Sequence, residues 1–273
     1  MVFIDPAAFL IVFREAFEAF LLVSVIYGVL TKTGRESLKK YVNLSVAFSI
    51  LTGILLGTGI YLIYRGFPQK ELFEAGASYL AAVILSTVII WMARHGSRIK
   101  QDVEARLGGV VTPLGVFIVS TIFVFREVLE TVLFLTPFMI RSIASTVSST
   151  VAGIALAFIL VFAMYRMGMK LDLRKFFMAT SILLVFVASG LVGYGTYELV
   201  EWAEESGINL GFLAAKAFDL GISEDHILHP DNVLGSILSV LVGYYPYMPW
   251  LRVFVQGAFL AFMLAYVIRV YKA

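Results

Sequence analysis

Seven predominantly apolar stretches of about twenty residues each limit what this chain can fold into. About 20 residues of helix are needed to cross ~30 Å of hydrocarbon, and an apolar run of that length has no comparable use in a soluble domain. The stretches fall near 7–30, 41–64, 74–93, 115–138, 146–165, 176–200 and 251–270. Composition agrees: 15% of residues are charged, against roughly a quarter in soluble domains. The expected fold is an all-α integral membrane protein, one transmembrane domain over 1–273 with seven transmembrane helices. The first stretch lacks a basic start and carries charges in its apolar core, so it reads as a span rather than a cleaved leader.

Basic residues give an orientation. Connections 31–40, 94–114 and 166–175 hold four Lys or Arg each and the C-terminal end holds two, fourteen in all, against Arg65, Lys70, Arg141 and Lys216 on the other side. The basic side is expected to be cytoplasmic. That makes a multi-pass protein of the plasma membrane with its N-terminus outside and its C-terminus inside. The outer loop 201–250 is acidic, with Glu201, Glu204, Glu205, Asp219, Glu224, Asp225 and Asp231 against Lys216. Such a surface is either a solvated face or a vestibule that concentrates cations. Within it, "LGFLAAKAFDLGI" (210–222) reads as a short amphipathic helix, and "VLGSILSVLVGYYPYM" (233–248) as apolar but interrupted by Pro246. The loop is therefore expected to carry an interfacial or re-entrant helix.

Two apolar runs contain the same charged triplet. "IVFREAFEAFLL" carries Arg14, Glu15 and Glu18; "FVFREVLETVLF" repeats the spacing as Arg126, Glu127 and Glu130. The triplets lie in spans 1 and 4, so spans 1–3 and 4–6 read as a 3+3 inverted-topology repeat with span 7 added, a plan that places substrate near the bilayer midplane. In each helix the two glutamates are i, i+3 and share a face, and the arginine is i, i+4 from the second glutamate. Four carboxylates and two guanidiniums leave a formal charge of −2, which one divalent cation balances. A lone charge at the bilayer centre costs roughly 2.5–3.5 kcal/mol on insertion scales, so six need mutual neutralisation, water or an ion. The rival reading is a pair of structural Arg–Glu staples in a membrane scaffold. Repetition at identical spacing favours a transport site.

Carboxylate oxygens select hard cations, among them magnesium, calcium, manganese and iron. The absence of cysteine removes thiolate ligands, and no histidine lies within a span. No nucleotide-binding loop, HExxH or intramembrane nucleophile pattern is present, so the chain reads as a carrier rather than an enzyme. Secondary candidates are Glu74, Glu198 and Glu201, which topology places at the outer mouth as a relay. The outer-loop His226 and His229 could share a metal. Gly53, Gly57, Gly190, Gly193 and Gly195 are expected to allow close helix contacts. Tyr244, Tyr245, Tyr247 and Trp250 are expected in an interfacial aromatic belt, and Pro137 is expected to end span 4.

At these residues the sequence resembles the oxidase-dependent iron permease family, the fungal high-affinity iron permease and its bacterial and archaeal relatives. That family carries Arg-Glu-Gly-x-Glu in its first and fourth helices. Here the motifs read REAFE (14–18) and REVLE (126–130), with Ala16 and Val128 in place of glycine. "LFEAGASYLAAVILSTVIIWM" (72–92), "SGLVGYGTYELVE" (189–201) and "LGSILSVLVGYYPYMP" (234–249) are similar to the family's third span, sixth span and the region before its last span. The resemblance implies an iron ion moved inward as cargo, with no permanently bound cofactor. It implies Glu15, Glu18, Glu127 and Glu130 as ligands and Arg14 and Arg126 as the groups that orient them. It also implies an extracytoplasmic partner, a ferroxidase or an iron-binding protein. Membrane lipid is the surrounding partner, nucleic acid is not one, and homo-oligomerisation is left open. The alternatives are another hard or divalent cation, such as manganese or lead, and the scaffold.

Overall fold

The computed structural model describes residues 4–95, 105, 112–167, 172–223, 226–229, 232, 234–235, 238–239 and 243–272. Seven long helices carry the fold: α1 Pro6–Lys32, α2 Lys39–Gly66, α3 Lys70–His95, α4 Pro113–Arg141, α5 Ile143–Met167, α6 Leu173–Glu205 and α7 Trp250–Lys272. Each covers one expected span and extends a few residues past it. Five are long and apolar enough to cross a membrane by length and composition. The other two, α1 and α4, carry the triplets. The chain is an all-α, multi-pass membrane protein.

Local sequence starts these helices. Pro6 and Pro113 occupy first helical positions, where their missing N–H costs nothing. Asp5 caps α1 by accepting from Ala7 N at 2.8 Å and Ala8 N at 3.0 Å, and Thr112 caps α4 by accepting from Gly115 N at 3.1 Å. The Asp5 N–H in turn donates to Ser149 Oγ on α5 at 2.7 Å, which ties the start of α1 to α5. Helix α4 runs through Pro137 to Arg141 rather than ending there. Proline removes one backbone bond and keeps a helical φ, and Pro137 is buried within a single remaining turn, so the packed helix continues.

The packing pairs α2 with α4, α5 with α1, α3 with α6, and α1 with α4, while α7 lies on α6. Exchanging helices 1–3 for 4–6 turns the α2–α4 pair into the α5–α1 pair. Each pair uses a narrow buried stripe of small residues on the outer helix. On α2 it is Val42, Ser45, Ser49, Gly53 and Gly57; on α5 it is Thr146, Ser149, Gly153, Ala157 and Val161. The two stripes have the same spacing of three, then four, four and four residues. Their other faces are apolar and exposed, as at Leu51, Ile54 and Leu55 on α2 and Val151, Phe158 and Ile159 on α5, which suits contact with lipid. The inner helices are the opposite: 61% of the apolar window of α6 is buried, against 17% for α2. The main core lies where α1, α3, α4 and α6 meet, around Ile11, Leu85, Ile89, Phe134, Leu184 and Ala188.

The loop after α6 departs from the expected helix over 210–222. Gly211–Leu213 is a single 3-10 turn, and Lys216–Asp219 is a strand (β1) paired antiparallel with Tyr247–Pro249 (β2). Gly211 and Gly221 adopt φ of 55° and 58°, a left-handed conformation that glycine tolerates and a helix does not. Asn209 accepts from Gly211 N at 2.8 Å and stabilises the first of these bends. Lys216 Nζ lies 2.7 Å from Asp219 Oδ2; that contact and the Gly221 N–H hold the Asp219 carboxyl below its usual range. Of the expected re-entrant segment, residues 234–235 and 238–239 are helical and 247–248 lie in β2; most of the rest is outside the described residues.

Candidate metal site

Helices α1 and α4 cross against each other, and this contact brings the triplets together. Arg14, Glu15, Glu18, Glu127 and Glu130 are all buried, with relative exposures of 1%, 1%, 3%, 4% and 9%. Carboxylate oxygens of Glu15, Glu127 and Glu130 lie within 4.8 Å of one another. Oxygens on opposite sides of a magnesium- or calcium-sized ion stand roughly 4–5 Å apart, so the three acids are spaced to share one cation.

The remaining valences point the same way. Arg14 Nη1 donates to Glu15 Oε1 at 2.8 Å. Arg14 Nε lies 3.0 Å from Glu18 Oε1, but the pair is not aligned as a hydrogen bond, and both atoms are buried without one. Arg126 Nε donates to Glu130 Oε1 at 2.8 Å. Among the described residues the second oxygens of Glu15, Glu127 and Glu130 have no donor, and they are buried. An unsatisfied buried polar group costs about 1–3 kcal/mol, and more when charged. Three acids of one cluster each carry such an oxygen, a donor set that suits a hard cation. Of the four expected ligands, Glu18 is the one outside this cluster; it sits against Arg14.

Tight helix contact sets the position of both triplets. A Cβ on Gly153 would meet the Phe13 backbone nitrogen at 2.9 Å and the Phe9 carbonyl oxygen at 3.1 Å, one residue from Arg14. A Cβ on Gly53 would run into the Val128 side chain, between Glu127 and Glu130. The valine at 128 therefore occupies room that α2 leaves with its own glycine. The close approach is made at Gly53 and Gly153, on the flanking helices, rather than at the second position after the motif arginine.

A model of the Iron permease FTR1 family matches residues 7–269. The chain belongs to the iron permease FTR1 family. It is 42% identical over 263 residues to a protein of Archaeoglobus fulgidus described as uncharacterized, covering 96% of this chain and 94% of that one. It is 31% identical over 244 residues to a protein of Yersinia pestis named ferrous iron permease EfeU, with coverage of 86% and 83%. A protein of the same name from Escherichia coli O6:H1 is 30% identical over 247 residues, with coverage of 86% and 85%. No solved structure matches the chain.

In this FTR1-family protein the outer-mouth candidates separate into a cluster and an outlier. Glu74 accepts from Tyr64 Oη at 2.8 Å and from the Tyr194 hydroxyl. Glu198 is buried and also faces Tyr194. Glu201 is half-buried one turn farther along α6 and interacts with Glu198. No sequence pattern singled out Arg141, whose guanidinium carbon lies 3.5 Å from the Tyr194 ring centroid. The same holds for Gln256, buried on α7 between Gly193 and Gly243, and for the buried Arg252, stacked 4.6 Å from the Tyr245 ring centroid. Of the expected aromatic belt, Tyr247 is exposed and Trp250 stacks on Phe212 and Phe254, while Tyr245 serves Arg252. His226 Nδ1 accepts from Leu228 N at 3.2 Å, which occupies one ring nitrogen. Among the described residues neither histidine belongs to the metal-sized cluster, and Asp225 and Asp231 are outside them.

Proposed function

We propose that this chain is an iron permease that moves iron inward across the plasma membrane through Glu15, Glu127 and Glu130, with Glu18 completing the site when Arg14 releases it. The single observation that carries the reading is the convergence of three buried carboxylates from α1 and α4, each with an oxygen that nothing among the described residues satisfies. The family and the names of its relatives in Yersinia pestis and Escherichia coli supply the metal. Transport of an ion explains why the chain is a carrier rather than an enzyme, and why the metal is cargo rather than cofactor.

The rest of the proposal follows from topology. With the N-terminus outside, α1 and α4 run in opposite directions, and the triplets meet near the bilayer midplane as in inverted-repeat carriers. The packing exchange between α2–α4 and α5–α1 supports such a repeat. Iron would be delivered by an extracytoplasmic ferroxidase or iron-binding protein to the acidic outer loop, and would pass Glu201, Glu198 and Glu74 on the way in. Arg14 and Arg126 keep the acids oriented and near neutrality between passages.

The test is iron uptake by cells or proteoliposomes carrying Glu15→Gln and Glu127→Gln. Each is expected to abolish uptake while the protein still reaches the membrane and elutes as a folded species. Wild-type uptake in both would overturn the assignment. Misfolding without a specific transport defect would favour the scaffold. An all-oxygen donor set also suits manganese, and competition of Mn(II) against Fe(II) for uptake separates the two cargoes.

A further inference from the structure

We propose that Trp91 on α3 is a positioning residue for the metal site: its indole face holds Arg126 away from Glu127 and so keeps Glu127 available to the ion. The inference rests on the carboxylate site being the one iron uses. It starts from a contrast that the local sequence cannot produce. Both arginines sit at the same spacing from two glutamates on their own helix. Arg14 uses that spacing fully, lying 2.8 Å from Glu15 and 3.0 Å from Glu18. Arg126 pairs with Glu130 at 2.8 Å and forms no ion pair with Glu127.

What differs is the neighbouring helix. The Arg126 guanidinium carbon lies 4.4 Å from the Trp91 ring centroid. Tryptophan offers the strongest aromatic face for a cation, and a planar guanidinium stacks on it well. The side chain is accordingly drawn outward: it is 40% exposed, while that of Arg14 is 1% exposed. Over Trp91 the Arg126 guanidinium keeps its Nε on Glu130, and the indole face fixes the plane in which its remaining N–H groups can reach an acid. Among the described residues Glu127 is the one acid of the converging three without a guanidinium nitrogen at ion-pair distance, although the Arg126 charge acts on it from nearby. An arginine folded back across Glu127 would compete with the ion as a tethered cation, and Trp91 prevents this.

The test uses the full-length protein in detergent, titrated anaerobically with Fe(II). Trp91→Leu is expected to weaken Fe(II) binding roughly tenfold, within the range of coupling between contacting residues, and Trp91→Phe is expected to retain most of the affinity. In an Arg126→Gln background, Trp91→Leu is expected to change nothing further, because the competitor is gone. Trp91→Gln makes the same comparison if the leucine variant does not fold. Wild-type affinity in Trp91→Leu, or an equal loss in the Arg126→Gln background, would overturn the positioning role. Glu127→Gln separates the two levels: if it binds Fe(II) as tightly as wild type, the site assignment fails. If it loses binding while Trp91→Leu does not, only the role of Trp91 fails.

Discussion

The two triplets share a sequence pattern and differ in enclosure. Around Arg14 the site is closed: the arginine bridges both acids of its helix, and Gly153 brings α5 onto the α1 backbone. Around Arg126 one side is open: the arginine holds one acid, stacks on Trp91 and reaches the protein surface, while α2 meets the helix through the Val128 side chain at Gly53. The same triplet therefore stands in two surroundings of unequal enclosure.

That comparison can be broken most forcefully at the arginines. Arg14→Gln strips compensation from two buried acids and is expected to destabilise the protein by about 3–5 kcal/mol, the cost of breaking a buried ion pair. Arg126→Gln removes one charge-assisted hydrogen bond with a partly exposed donor, about 1–2 kcal/mol. Thermal melting in detergent compares them, and equal losses would contradict the difference in enclosure. A smaller effect is expected at the glycines. Gly153→Ala drives a methyl group into backbone and is expected to cost about 1–3 kcal/mol, with no single side-chain change restoring it. Gly53→Ala meets one side chain, so adding Val128→Ala is expected to recover most of its loss in melting temperature. The smallest effect lies at the caps. Asp5→Ala is expected to cost about 1 kcal/mol and Thr112→Ala less, since Asp5 accepts two N–H groups and Thr112 one. A greater loss for the threonine would reverse the order.

Much of this architecture is legible in the amino-acid sequence. The bilayer fixes span length, so all seven helices can be placed from apolar runs alone. The triplets can be found because their spacing is local to one helix. The stripe on α5, with Ser149, Gly153 and Ala157 four residues apart like Ser49, Gly53 and Gly57, is an available second sign of the repeat. Its alanine and flanking threonine and valine blur the glycine pattern. The loop after α6 reads wrongly as a helix at 210–222 because β1 is half of a pair: its partner Tyr247–Pro249 lies 28 or more residues away, and a strand's main chain is satisfied by that partner rather than by its own periodicity.

By itself the sequence determined the class of the protein, the number of long helices, and the recurrence of one Arg-Glu-x-x-Glu triplet on two of them. These follow from hydrocarbon thickness and from spacing along a single helix. Tertiary structure alone decided which acids converge, that Glu18 stays with Arg14, that Gly53 receives Val128, and that Trp91 claims Arg126. Each of those depends on which face of one helix meets which face of another. Packing of whole surfaces settles that, and no run of residues within either helix specifies it.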